Sequence, residues 1–137
     1  RIDRRKEAKE DFQMSLELHA KAILEDPGDL SLKRMKGLTL YNLGRYEESL
    51  EVYDQVLEAS PRIEPYVIDV SALEGKGDAL RALNRNQEAL EAYNEAIELA
   101  PSSSAAWHGK GEAERALGQV GNAGMSLLTA DKLGYEK

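Results

Sequence analysis

A period of 34 residues governs this chain. Residues 70–103 laid over residues 104–137 match Gly75 with Gly109, Lys76 with Lys110, Gly77 with Gly111, Ala79 with Ala113, Arg81 with Arg115, Leu83 with Leu117, Ala89 with Ala123 and Ala96 with Ala130. Residues 30–63 form a third copy, in which Lys36 and Gly37 answer Lys76 and Gly77, Tyr53 answers Tyr93, and Pro61 answers Pro101. Phe12 to Pro27 read as half a copy, with Leu16, Ala22 and Ile23 in the places of Leu90, Ala96 and Ile97. Self-similarity at such a period means a stack of like units, each burying its apolar face on the next.

Each unit reads as two helices. Tyr66, Val70, Leu73, Gly77 and Leu80 form one helical stripe, and Ala89, Leu90, Tyr93, Ala96, Ile97 and Leu99 form a second. Between them stand Leu43–Gly44, Leu83–Asn84 and Leu117–Gly118, where Gly or Asn can take the left-handed conformation that ends a helix. Pro61 and Pro101 close the second helices of their units, because proline cannot continue the ladder. The two prolines are 40 residues apart instead of 34, so six extra residues fall near Arg62–Asp69, and the stripe through Tyr66 predicts that 64–69 lengthen the following helix. Gly77 and Ala89 are expected to face each other where paired helices approach most closely.

These residues resemble the tetratricopeptide repeat family, whose pattern sets a large apolar residue, Gly, then Leu or an aromatic on the first helix, and Ala, aromatic, Ala, Pro on the second. The middle copy has Leu73, Gly77, Leu80, Ala89, Tyr93, Ala96 and Pro101, and the last has Trp107, Gly111, Leu117, Ala123, Leu127 and Ala130. The resemblance implies an all-α, right-handed solenoid of antiparallel helix pairs with about three and a half repeats in one domain. Its units are a partial repeat at 1–29, a repeat at 30–63, the insertion at 64–69, and repeats at 70–103 and 104–137. Where the family often has leucine, this chain has Lys36, Lys76 and Lys110, whose stems are expected to pack while the ammonium groups reach solvent. Trp107 is expected to be buried. Gly124 and Asp131 replace Leu90 and Ile97, so the last helix reads as an end of the stack near Lys137.

Composition narrows the chemistry. A net charge of −7 and a pI near 4.9 repel phosphate backbones and anionic membranes, which argues against nucleic-acid and membrane partners. There is no cysteine, and the two histidines, His19 and His108, lie in different repeats, so neither a metal site nor a thiol nucleophile is expected. Glu74–Asp78 has glycines beside a lysine, yet Val70 holds the place where a phosphate loop needs its first glycine. Glu47, Glu48, Glu51, Glu88, Glu91, Glu95 and Glu98 recur at helical spacing and read as a solvated face. No catalytic constellation and no cofactor are expected, and the lack of a signal or transmembrane stretch points to the cytoplasm.

The resemblance implies that partners bind the concave face lined by first helices. The positions that carry over are Arg34, Met35, Leu38, Tyr41 and Asn42, then Glu74, Gly75, Asp78, Arg81 and Ala82, then His108, Gly109, Glu112, Arg115 and Ala116. Gly75 and Gly109 are expected to leave room on the groove floor, Met35, Leu38 and Tyr41 to supply an apolar end, and the carboxylates and arginines to meet a partner or pair with one another. One subtype of the family grips the C-terminal carboxylate of chaperones. At the matching positions this chain has Arg34, Leu38, Gly75, Ala105 and Gly109, and that activity is not implied. The expected function is a non-enzymatic adaptor binding a protein or peptide segment. The alternative is a structural spacer that self-associates through Tyr66 or through the Met125/Leu128 face.

Overall fold

The computed structural model describes residues 2–60 and 69–135. They form seven helices and no strand: α1 (Ile2–Glu25), α2 (Leu30–Asn42), α3 (Tyr46–Ala59), α4 (Val70–Ala82), α5 (Asn86–Leu99), α6 (Ser104–Ala116) and α7 (Val120–Lys132). Each packs on the next, and the first helices α2, α4 and α6 also touch side by side, whereas α3, α5 and α7 do not touch one another. First helices therefore line the tighter face of the stack, and second helices lie splayed on the wider one.

Local chemistry sets the boundaries. Asp29, Asp69 and Ser103 cap the first helices, their side chains accepting hydrogen bonds from the N–H groups of Leu32, Ala72 and Ala106. At the other ends Gly44, Asn84 and Gly118 take φ of 76°, 60° and 79°, as the turn residues imply. The following N–H reaches back to close each turn, as Arg45 does to the Leu40 carbonyl and Arg85 to that of Leu80.

The expected lengthening by 64–69 falls largely outside the described residues, Tyr66 among them. At its described end it is corrected: Asp69 is extended (φ −64°, ψ 96°) and caps α4, which at 13 residues equals α2 and α6 in length. A residue whose carboxylate caps a helix cannot also continue that helix backward. At the N-terminus the half repeat is one helix of 24 residues, nearly twice its neighbours, and Ile2–Glu10 continue it instead of forming part of a separate first helix. Its C-terminal half packs through Leu16 against Leu40 and Val52, while Asp3–Asp11 stand exposed.

The inner core is built on two tyrosines. A Cβ added to Gly37 would lie 2.9 Å from the Tyr53 ring, and one added to Gly75 only 2.3 Å from it. For Tyr93 the equivalents are Gly77 at 2.6 Å and Gly109 at 2.3 Å. Each ring is thus wedged between a glycine of its own repeat and a glycine of the next, with Val56, Leu73, Ala79, Leu80 and Ala89 packed around them. This corrects one expectation: the space left by Gly75 and Gly109 is filled by rings of the preceding second helix instead of standing open on the groove floor. Gly77 makes room for Tyr93. At the positions one repeat earlier that answer Gly77 and Ala89, the Ser49 hydroxyl donates to the Gly37 carbonyl at 2.7 Å, a close approach of the paired helices.

Trp107 is half-buried, not enclosed: its indole N–H donates to the Pro101 carbonyl at 2.9 Å and the Lys110 ammonium lies 5.1 Å from its ring. The lysines at the family's leucine position are half-buried as expected, yet Lys76 ends on Asp54 of α3 at 2.7 Å. In the last repeat Glu114 stands where the others have Leu40 and Leu80. It is buried, accepting a hydrogen bond from Ser126 at 2.8 Å, with the Lys110 ammonium 4.0 Å away.

Candidate partner-binding groove

The α2/α4 side of the tight face holds a cavity of about 260 Å³ lined by Arg34, Met35, Leu38, Tyr41, Tyr53, Ser71, Glu74, Gly75 and Asp78. Seven of these are residues the sequence singles out on the concave face, brought together where α2 and α4 touch side by side. Met35 and Leu38 remain 48% and 54% exposed, and because both line the same cavity they form an apolar patch rather than scattered single side chains. Tyr53 and Ser71 are additions. Tyr53 belongs to a second helix and reaches the groove only because Gly37 and Gly75 let its ring through, which periodicity along one helix cannot reveal.

The polar groups lining the groove tie one repeat to the next. Arg34 donates to Asp69, the cap of α4, at 2.9 Å. Forty residues on, Glu74 accepts a hydrogen bond from Ser103, the cap of α6. Asp78 accepts one from the Tyr93 hydroxyl. Burial pushes the carboxyls of Glu74 and Asp78 above the usual carboxylate range, opposed by the hydroxyl donors Ser103 and Tyr93. Burial, with the nearby Asp78 charge second, likewise pushes the Tyr53 phenol up to about 12.

Toward the C-terminal end the groove changes character. Arg115 donates to both oxygens of Glu112 at 2.6 Å, while Arg81 sits 3.8 Å from Asp78 and 3.9 Å from Glu112. The carboxylates and arginines here pair with one another, Asp78 with Arg81 and Glu112 with Arg115 three residues apart on a helix, and Arg81 with Glu112 from α4 to α6. His108 is stacked on Tyr135, ring centroids 4.0 Å apart and planes within 7°. Tyr135 follows Gly134, whose φ of 85° ends α7 and turns the chain back toward α6. Asn42 is exposed and outside the cavity, as are Ala82 and Ala116.

A second cleft of about 290 Å³ opens between the splayed helices α3 and α5, rimmed by Asp54, Glu58, Glu88, Glu91 and Glu95. Its floor residues Leu57, Leu73 and Leu80 are buried, and Lys76 lies over it. Its accessible lining is more polar than that of the α2/α4 cavity. Among the described residues no group of His, Asp or Glu could hold a metal ion, and no helix is long and apolar enough to cross a membrane.

Two family models, both described as tetratricopeptide repeat, match residues 29–102 and 74–131, the first alone covering more than half the chain. The chain belongs to the tetratricopeptide repeat family. No curated protein matches the sequence. Among solved structures, MamA from Desulfovibrio magneticus RS-1 aligns with a TM-score of 0.78 at 22% identity, covering 97% of this chain and 72% of that one. A second MamA structure, from MSR-1, gives 0.73 at 21% identity over 90% of this chain and 67% of its own. The second tetratricopeptide domain of Spaghetti (RPAP3), bound to the HSP90 peptide SRMEEVD, gives 0.67 at 20%, covering 93% of this chain and 98% of that one. At these identities the likeness establishes the helical repeat fold, which is one suited to protein–protein interaction.

Proposed function

We propose that this tetratricopeptide chain is a non-enzymatic adaptor that holds a segment of a partner protein in the groove formed by α2, α4 and α6. The observation carrying this reading is the pair Met35 and Leu38, half-exposed beside a cavity of about 260 Å³ on the face where the first helices line up. Such a cavity suits an extended or helical segment that places one side chain into it. The Spaghetti domain binds a peptide, which supports a peptide-binding role for a domain of this fold, though the acid-rich sequence SRMEEVD is a poor match for the cavity wall here, where Arg34 is already held by Asp69 and Glu74 and Asp78 present carboxylates. The test is affinity capture with the wild-type chain, with Leu38→Arg, and with Glu91→Arg on the outer face as control. A partner retained by wild type and control but lost with Leu38→Arg supports the groove; one retained by all three is using another face.

The second reading, self-association, is favoured by one observation. On α7, Val120, Met125 and Leu128 are 73%, 68% and 49% exposed, a run of apolar surface for which the stack has no use. Sedimentation velocity across a hundredfold concentration range separates the readings: a dimer lost in Met125→Asp points to this face, and a constant monomer removes it.

A further inference from the structure

We infer that the α2/α4 cavity receives a lysine or arginine side chain of the partner segment, its aliphatic stem lying on Met35, Leu38 and Tyr41 and its cationic head meeting Glu74 and Asp78. This rests on the groove reading above and names the chemistry of what the groove takes. The cavity is divided by helix. On the α2 side it is apolar, with Met35, Leu38 and the Tyr41 ring, and the Tyr53 ring forms part of the lining over Gly75. On the α4 side it carries the two carboxylates. Long basic side chains are built to that division, since three or four methylenes favour apolar surface while the charged end seeks an anion.

Charge accounting along the wall points the same way. Glu74 is held by the Ser103 hydroxyl and Asp78 by that of Tyr93, neither of which neutralises charge. Arg34 is spent on Asp69 at 2.9 Å, and Arg81 pairs only at long range with Asp78, 3.8 Å, while shared with Glu112 at 3.9 Å, so that Glu74 has no cation among the ion pairs of the described residues. Burial that raises both carboxyls shows them short of solvation, which an entering ammonium or guanidinium would supply. An anionic or neutral polar side chain would add repulsion or leave the carboxylates as they are. At longer range the chain's net charge of −7 draws basic segments toward it.

The probe is a phage-displayed library of random 12-residue peptides selected on the immobilised chain, followed by fluorescence anisotropy with the enriched sequences as synthetic peptides. The expected result is enrichment of Lys or Arg beside apolar residues. Replacing that basic residue by norleucine, or Glu74 and Asp78 by Gln and Asn, should each weaken binding roughly tenfold, as loss of one charge-assisted contact implies. Glu74→Gln alone, whose amide oxygen can still accept from Ser103, serves if the double variant melts below wild type. Enriched peptides without excess basic residues overturn the inference, as do basic peptides that bind the neutralised variants unchanged. Leu38→Arg separates the levels: peptides that ignore it overturn the groove itself, whereas peptides lost with Leu38→Arg but indifferent to Glu74→Gln overturn only the basic anchor.

Discussion

Tyr93 and Leu127 stand 34 residues apart at the same place in their repeats, yet they do different work. Tyr93 is fully buried, its ring notched into Gly77 of its own repeat and Gly109 of the next. Leu127 has one notch, at Gly111, where an added Cβ would come within 2.7 Å of its Cγ, and it remains half-buried. The positions around it follow suit: Leu80 and Ala92 of the middle repeat become Glu114 and Ser126 in the last, a buried polar pair in place of an apolar one. Equal sequence positions are therefore unequal in energy. An aromatic wedge needs a receiving glycine from each side, and only a repeat with a described neighbour on its C-terminal side has both.

The sharpest break of this comparison is Tyr93→Ala. Emptying a site closed on two sides should cost about 3–5 kcal/mol, whereas Leu127→Ala should cost distinctly less, and urea denaturation of the two variants checks the order. Equal losses would mean that the last repeat is as tightly built as the middle one. Next in size is Gly109→Ala, whose new methyl would meet the Tyr93 ring at 2.3 Å and should cost roughly 1–3 kcal/mol by overpacking. Restoring the apolar pair with Glu114→Leu and Ser126→Ala should raise stability by about 1 kcal/mol or more, since a buried charge is replaced by the residues its sister repeats use. A smaller gain, about 0.5–1 kcal/mol, is expected from Gly124→Ala, a helix-interior glycine with nothing within 4 Å of an added Cβ. A loss there would show that α7 is covered on that side.

The smallest difference lies in the phenols, and it shows only in alkali. The Tyr53 and Tyr93 hydroxyls are both raised, chiefly by burial and next by Asp78, so the folded state keeps these protons when the unfolded chain gives them up. Their contribution is complete below the ordinary tyrosine value of 10.0 and is lost as pH climbs from there through about 12 for Tyr53. Melting temperature should fall across that window in the wild type, and Tyr53→Phe should flatten the fall.

Much of the groove was legible without coordinates, and the reasons are specific. Arg34, Met35, Leu38, Tyr41, Glu74 and Asp78 share a face because positions 34, 35, 38 and 41 repeat as 74, 75, 78 and 81, and helical spacing carries them to one side. What escaped was whatever arrives from another element. Tyr53 enters from a second helix, Tyr135 covers His108 from beyond α7, and Ser103 and Asp69 draw Glu74 and Arg34 into bonds between repeats. The carboxylates and arginines at the far end look equally available in sequence, yet Arg115 closes on Glu112 while Arg34 reaches across to the next cap.

The helix pairs, their period and their turns are encoded locally, because 3.6-residue periodicity, glycine or asparagine at positive φ, and side-chain caps are physics written within a dozen residues. Recurrence marks which glycines matter. What those glycines are for is settled by packing between helices. A missing Cβ looks like open floor until the neighbouring helix is in place, and here each gap at Gly75 and Gly109 is taken by a tyrosine lying some 16 to 22 residues earlier in the chain. Where a charge ends up, on its own helix, on the next repeat or facing an apolar cavity, depends likewise on the distances between helices, which close packing sets and local sequence does not.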